Sequence, residues 1–92
     1  MFELEMTTKF KKDLKKVGKG TNNELIGATL KLLEARGIKG IPKEMKPHKL
    51  KGEYKNNWEF HLKPDLLIIC VQFVSPNVIR LIRIGSHSEL FK

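Results

Sequence analysis

Three histidines, His48, His61 and His87, fall in the second half of this 92-residue chain, with Asp65 four residues after His61 and Arg83 four before His87. Histidine titrates near neutral pH, so one imidazole can remove a proton while another delivers one. Arginine stays charged, and its planar fork donates two hydrogen bonds to a phosphate. This set suits cleavage of RNA, which carries its own nucleophile. A base takes the proton from the 2′-hydroxyl, an acid protonates the leaving 5′ oxygen, and a cation offsets the extra charge on the phosphorane. An aromatic such as Phe91 can stack on a base and hold the scissile linkage in line. None of these steps calls for a metal or a cofactor. Zinc is disfavoured because 13 and 26 residues separate the histidines and no two share a helix turn or a hairpin. Covalent catalysis by Ser or Cys has no motif behind it. Cys70, the sole cysteine, lies inside the apolar run Leu66 to Val71 and reads as a small buried hydrophobe in a reducing, cytoplasmic setting.

The elements that must position these residues are legible from periodicity. Phe2 to Met6 alternates apolar and charged residues, as a half-buried strand does. Thr7 or Thr8 caps a helix in which Phe10, Leu14 and Val17 share a face, leaving Lys9, Lys11, Lys12, Lys15 and Lys16 on the outside. Gly18 and Gly20 end it. Thr21 and Glu24 have the spacing of a capping box for a second helix, with Leu25, Ala28, Thr29, Leu32 and Leu33 as its stripe and Gly37 as its stop. Residues 38–53 read as a long loop containing His48.

Three strands are expected after that loop. Trp58, Phe60 and Leu62 alternate with Glu59 and His61, Leu66 to Phe73 reads as a strand buried on both faces, and Val78 to Ile84 returns antiparallel. Alternation puts Arg83 with Ile79 and Leu81, and Arg80 with Val78, Ile82 and Ile84. The order β-α-α-β-β-β predicts an α+β domain over residues 1–92: one mostly antiparallel sheet with a helical hairpin packed on one face. In such a meander His61, Asp65 and His87 come to one sheet edge, with Arg83 nearby and His48 in reach.

Charge narrows the partners. The 18 Lys and Arg against 10 Asp and Glu leave a net charge of +8, with both halves positive, so a folded basic face fits better than a basic tail. Nucleic acid is the commonest partner of such a surface. The longest apolar run is six residues, far short of the ~20 a membrane span needs, and the first residues lack the pattern of a signal peptide.

From Pro47 onward the chain resembles the YafQ branch of the RelE-type bacterial toxins. The resemblance is carried by Pro47-His48-Lys49-Leu50-Lys51-Gly52, by Trp58-Glu59-Phe60-His61-Leu62-Lys63-Pro64-Asp65 and by Arg83-Ile84-Gly85-Ser86-His87-Ser88-Glu89-Leu90-Phe91. It implies a RelE-like fold and a ribosome-dependent mRNA endoribonuclease held inactive by a cognate antitoxin. The family's active-site positions fall here on His48, His61, Asp65, Arg83, His87 and Phe91. Leu66 departs from a relative that has Trp after the aspartate, which bears on codon preference and not on proton transfer. His87 is the expected general acid, Arg83 the phosphate stabiliser and His48 the first choice of base, with His61 and Asp65 orienting the site; Asp65 is the alternative base. Lys11, Lys12, Lys15 and Lys16 are expected to meet ribosomal RNA. Two rivals keep the basic domain and change the activity: a gyrase-poisoning toxin of the same superfamily, and a non-catalytic RNA-binding or co-repressor module.

Overall fold

A computed structural model describes residues 1–91, the Glu53 side chain aside. Five strands and three helices succeed one another: β1 (Glu3–Met6), α1 (Thr8–Val17), α2 (Thr21–Arg36), β2 (His48–Lys49), β3 (Trp58–Lys63), β4 (Leu66–Val74), β5 (Asn77–Gly85) and α3 (His87–Leu90). The sheet order is β1-β5-β4-β3-β2, with β1 parallel to β5 and every other pairing antiparallel. The expected architecture stands, with one strand more than the periodicity indicated. β2 is two residues long and lies within the segment expected to be loop, where three short 3₁₀ turns also form. A two-residue strand carries no alternation, so the sequence offers no period to find.

The helices cover one face because their apolar stripes need it. Thr7 caps α1: its Oγ1 accepts from Phe10 N at 3.0 Å and donates to the Ile82 carbonyl at 2.8 Å, tying the helix start to β5. The capping box expected at Thr21 does not form. Gly20 is the cap and Thr21 the first helical residue, while Asn22 Nδ2 donates to the last carbonyl of α1, Val17, at 3.1 Å. The short link from α1 to α2 leaves that carbonyl to be satisfied first. Ile26, Thr29 and Leu33 of α2 are buried, whereas Ala28 and Leu32 of the expected stripe face outward. Gly37 ends α2 at φ 70°, and a Cβ there would stand 2.6 Å from both the Phe2 ring and the Gln72 side chain.

The main core fills the space between helices and sheet with Phe10, Leu33, Phe60, Ile68, Cys70, Ile79 and Leu81, all fully buried. Each Phe, Leu or Ile among them contributes about 1.5–3 kcal/mol by leaving water. A smaller cluster lies on the other face: Leu67, Ile69 and Leu90, with Leu50, Tyr54 and Ile82 against it. β4 thus presents apolar residues to both faces, as its continuous run predicted. One expectation about β5 is corrected. Ile69 pairs with Arg83 and Cys70 with Leu81, leaving Ile82 as a bulge. The extra residue resets the alternation, so Ile84 joins Ile79 and Leu81 in the main core and Arg83 starts from the opposite face.

Candidate active site

The site is built on the sheet face that the hairpin leaves open, not only at its edge. Cross-strand register aligns His48 with Glu59, Glu59 with Ile69, and Ile69 with Arg83, so these four stand in one row across β2, β3, β4 and β5. His61 begins the next row, opposite Leu67. Side chains in one row and its neighbour share a face and come within reach of each other.

Glu59 lies at the centre and is nearly fully buried, although its place in the sequence suggests no role for it. Its Oε1 is 3.2 Å from His48 Nε2 and 3.4 Å from His61 Nε2. Its Oε2 is buried and has no hydrogen-bond partner among the described residues. A carboxylate oxygen only accepts, so it favours N–H at each facing nitrogen. At His61 the other ring nitrogen, Nδ1, is engaged by no described residue. For His48 the second nitrogen is already occupied, with Nδ1 2.8 Å from the Lys46 carbonyl. His48 is half exposed, His61 less so.

Arg83 crosses from this face to the helical side. β1 pairs with β5 only as far as Leu81, and beyond it the edge of β5 is met by Thr7 and by Asp13 of α1. Arg83 Nε donates to Asp13 Oδ2 at 2.7 Å and its Nη2 to Oδ1 at 3.1 Å. Asp13, on α1, is buried and also accepts from Ile84 N at 3.1 Å. The Asp13 carboxylate, with a smaller contribution from the Tyr54 hydroxyl, holds the guanidinium pKa above its ordinary value against the effect of burial.

The third part is α3. Four residues cannot sustain a helix alone. Here Ser86 Oγ accepts from Glu89 N at 3.2 Å, Glu89 Oε1 accepts from Ser86 N at 3.0 Å, and Leu90 is buried beneath. A capping box thus forms at Ser86, where the sequence reading placed none. These bonds from Ser86 hold the Glu89 carboxyl below the usual carboxylate range. Asp65 Oδ1 accepts from His87 N at 3.2 Å, fixing the start of α3 to the β3–β4 turn. The His87 and Phe91 rings pack at 4.6 Å between centroids, and Tyr54 meets Phe91 edge-on at 5.7 Å.

The structure thus brings His48 and His61 together through Glu59, and Asp65 and His87 together through a backbone bond. No hydrogen bond or ion pair joins the two groups among the described residues. No three His, Cys, Asp or Glu side chains among them are arranged to hold a metal ion. Lys11, Lys12, Lys15 and Lys16 are all exposed on α1. A cleft of about 580 Å³ leads from Lys16 and Lys19 past Lys63 to Asp65 and Ser86, joining the basic helix to the edge where α3 begins. No helix among the described residues is long and apolar enough to cross a membrane.

The family model described as the YafQ toxin of bacterial type II toxin–antitoxin systems matches residues 2–92. A metal-bound toxin from Helicobacter pylori is similar at 39% identity, with a TM-score of 0.84, covering 99% of this chain and 100% of that one. YafQ from Escherichia coli superposes with a TM-score of 0.86 at 24% identity over the whole of both chains. The E. coli DinJ–YafQ toxin–antitoxin complex gives 0.79 at 26% identity, covering 99% of this chain and 98% of that one. No curated protein sequence matches.

Proposed function

This chain belongs to the YafQ toxin family of bacterial type II toxin–antitoxin systems, and from that premise we propose that it is an endoribonuclease that cuts mRNA on the ribosome by acid–base catalysis. The observation that carries the reading is the meeting of His48 and His61 at the buried Glu59, whose Oε1 stands 3.2 and 3.4 Å from their Nε2 atoms, in the cross-strand row from which Arg83 also sets out.

His61 Nδ1 takes the proton from the 2′-hydroxyl, whose oxygen attacks phosphorus. Arg83 offsets the charge on the non-bridging oxygens. His87 gives a proton to the departing 5′ oxygen, and Phe91, packed on the His87 ring, stacks on a neighbouring base. Asp65 holds α3, and with it His87, in position. What supports His61 as base over His48, the first choice from sequence, is the free Nδ1: both nitrogens of His48 already face acceptors. The products are a 2′,3′-cyclic phosphate and a 5′-hydroxyl. The exposed lysines of α1 dock on ribosomal RNA in the cytoplasm, and an antitoxin of the kind seen bound to E. coli YafQ silences the protein.

His87→Gln on ribosomes programmed with a defined mRNA tests this directly. The substitution keeps size and hydrogen bonding but delivers no proton, so single-turnover cleavage should fall about 10²–10⁴-fold with little change in ribosome affinity. A 5′-phosphate on the product would mean that water attacked and would remove the assignment. The scheme routes no proton through a metal. A chelator should leave the rate intact when ribosomal magnesium is maintained. Stoichiometric zinc or copper that disappears together with activity in His48→Ala would replace the scheme.

A further inference from the structure

Asp13 takes no part in these proton transfers, yet it is among the most constrained polar side chains in the molecule. It is 7% exposed, and it accepts hydrogen bonds from Nε and Nη2 of Arg83 and from the backbone of Ile84. We propose that Asp13 is a positioning residue, gripping one edge of the Arg83 guanidinium so that the opposite edge faces the phosphate being cleaved. The inference rests on the reading of Arg83 as the phosphate-binding cation.

Guanidinium geometry carries it. The group has five N–H donors in a rigid plane. Asp13 takes two along the Nε–Nη2 edge, at 2.7 and 3.1 Å, in the side-on arrangement that fixes the plane as well as the position. Two of the remaining three, one each on Nη1 and Nη2, lie along the outer edge and can present two parallel N–H bonds to a phosphate. An untethered arginine after a bulge would sample many rotamers and spend ordering entropy at the moment of reaction. The bulge itself is held from the same helix, because Thr7 Oγ1 donates to the Ile82 carbonyl. Helix α1 therefore fixes both the backbone before Arg83 and the tip of its side chain. Lys12 and Lys16 flank Asp13 on that helix, so the element expected to dock on RNA is also the one that aims the catalytic arginine.

The test is a double-mutant cycle read by single-turnover cleavage at saturating ribosomes, with ribosome affinity and thermal midpoint measured for every variant. Asp13→Asn keeps the size and an oxygen for Ile84 N but loses the charge. It should slow cleavage by up to about 10²-fold, the scale on which small misplacements act, and leave ribosome affinity unchanged. In the Arg83→Ala background the same substitution should cost nothing more. A purely structural Asp13 would cost as much there as in the wild type, which overturns the proposal, as does wild-type cleavage by Asp13→Asn when Arg83→Ala is slow. Wild-type cleavage by Arg83→Ala is a different result and removes the underlying reading of Arg83. If Asp13→Asn does not fold, Asp13→Glu carries the same cycle, since it keeps the charge but shifts the guanidinium by one methylene.

Discussion

Glu59 and His48 are Cα partners across β2 and β3, and the carboxylate Oε1 of one stands 3.2 Å from the imidazole Nε2 of the other. The short pairing of β2 with β3 delivers His48 to this contact. The same oxygen stands 3.4 Å from His61 Nε2, so one buried acid faces two imidazoles. Glu59→Gln should therefore cost activity without costing stability. The amide can turn its NH₂ toward the imidazoles and so favour the wrong tautomer, a change expected to lower cleavage by about 10²–10⁴-fold, the range of general-base loss. The thermal midpoint should hold or rise, since a buried carboxylate with an unpartnered oxygen is removed. Single-turnover rates and calorimetry on the same preparations separate the two. A similar treatment of the histidines should rank His61→Ala below His48→Ala in rate.

The cap on α3 is a second place where a small change should act on chemistry. Ser86→Ala removes the acceptor for Glu89 N and should lower stability by about 0.5–2 kcal/mol. Cleavage should fall further than that destabilisation explains, because His87 and Phe91 both depend on the orientation of α3. Acid should have a related effect. The Glu89 carboxyl is held below its ordinary value, so the cap's contribution is present above the unfolded carboxylate range and is lost as pH falls through the folded one. Hydrogen exchange at Glu89, Leu90 and Phe91 should speed up under those conditions before the sheet is affected.

The parts of this site that are legible in sequence are those with local signatures. Strand alternation puts Trp58, Phe60 and Leu62 toward the helices and Glu59 and His61 on the other face, which is where they lie. The central place of Glu59 between the two histidines is hidden because its burial comes from a non-local arrangement, with β2 beside it and the Leu50 and Tyr54 cluster on the same face. Asp13 does leave a signal: it follows Phe10 by three residues and precedes Val17 by four, an acid on the apolar stripe of a helix otherwise rich in lysine. Simple alternation assigns Arg83 to the wrong face because a bulge changes the period of a strand and leaves no mark in residue type. Tyr54 sits in an irregular segment with no period to read.

Cys70 offers a check on the packing of the central strand. It is fully buried, and desolvation pushes its thiol up to about 12, from about 9 in an unfolded chain. Above the lower value the unfolded state sheds a proton that the folded state keeps, so this group's contribution to stability falls as pH rises from about 9 towards 12. Cys70→Ala should flatten the alkaline side of the stability profile, measured by denaturant melts, though with a lower plateau from the cavity. Because the thiolate is the reactive form, a thiol reagent at about pH 8 should modify the native protein only at the rate at which it opens.

The basic face of α1 should act on encounter and not on the chemical step. Lys11, Lys12, Lys15 and Lys16 are exposed, and the acid beside them, Asp13, is occupied by Arg83. Their positive charge is thus free to meet RNA phosphates, and each phosphate they neutralise releases counterions. Ribosome affinity should weaken with added salt. Replacing all four lysines with Gln should reduce the slope of log K against log salt by roughly 0.7–0.9 for each phosphate no longer neutralised. The cleavage rate on saturated ribosomes should change little, because none of the four ammonium groups lies in the row that holds His48, Glu59 and Arg83. Filter binding across a salt series, paired with single-turnover cleavage, distinguishes this from a catalytic role. Affinity that ignores salt, or a fourfold variant that binds as tightly as the wild type, would move the docking surface to another face of the protein.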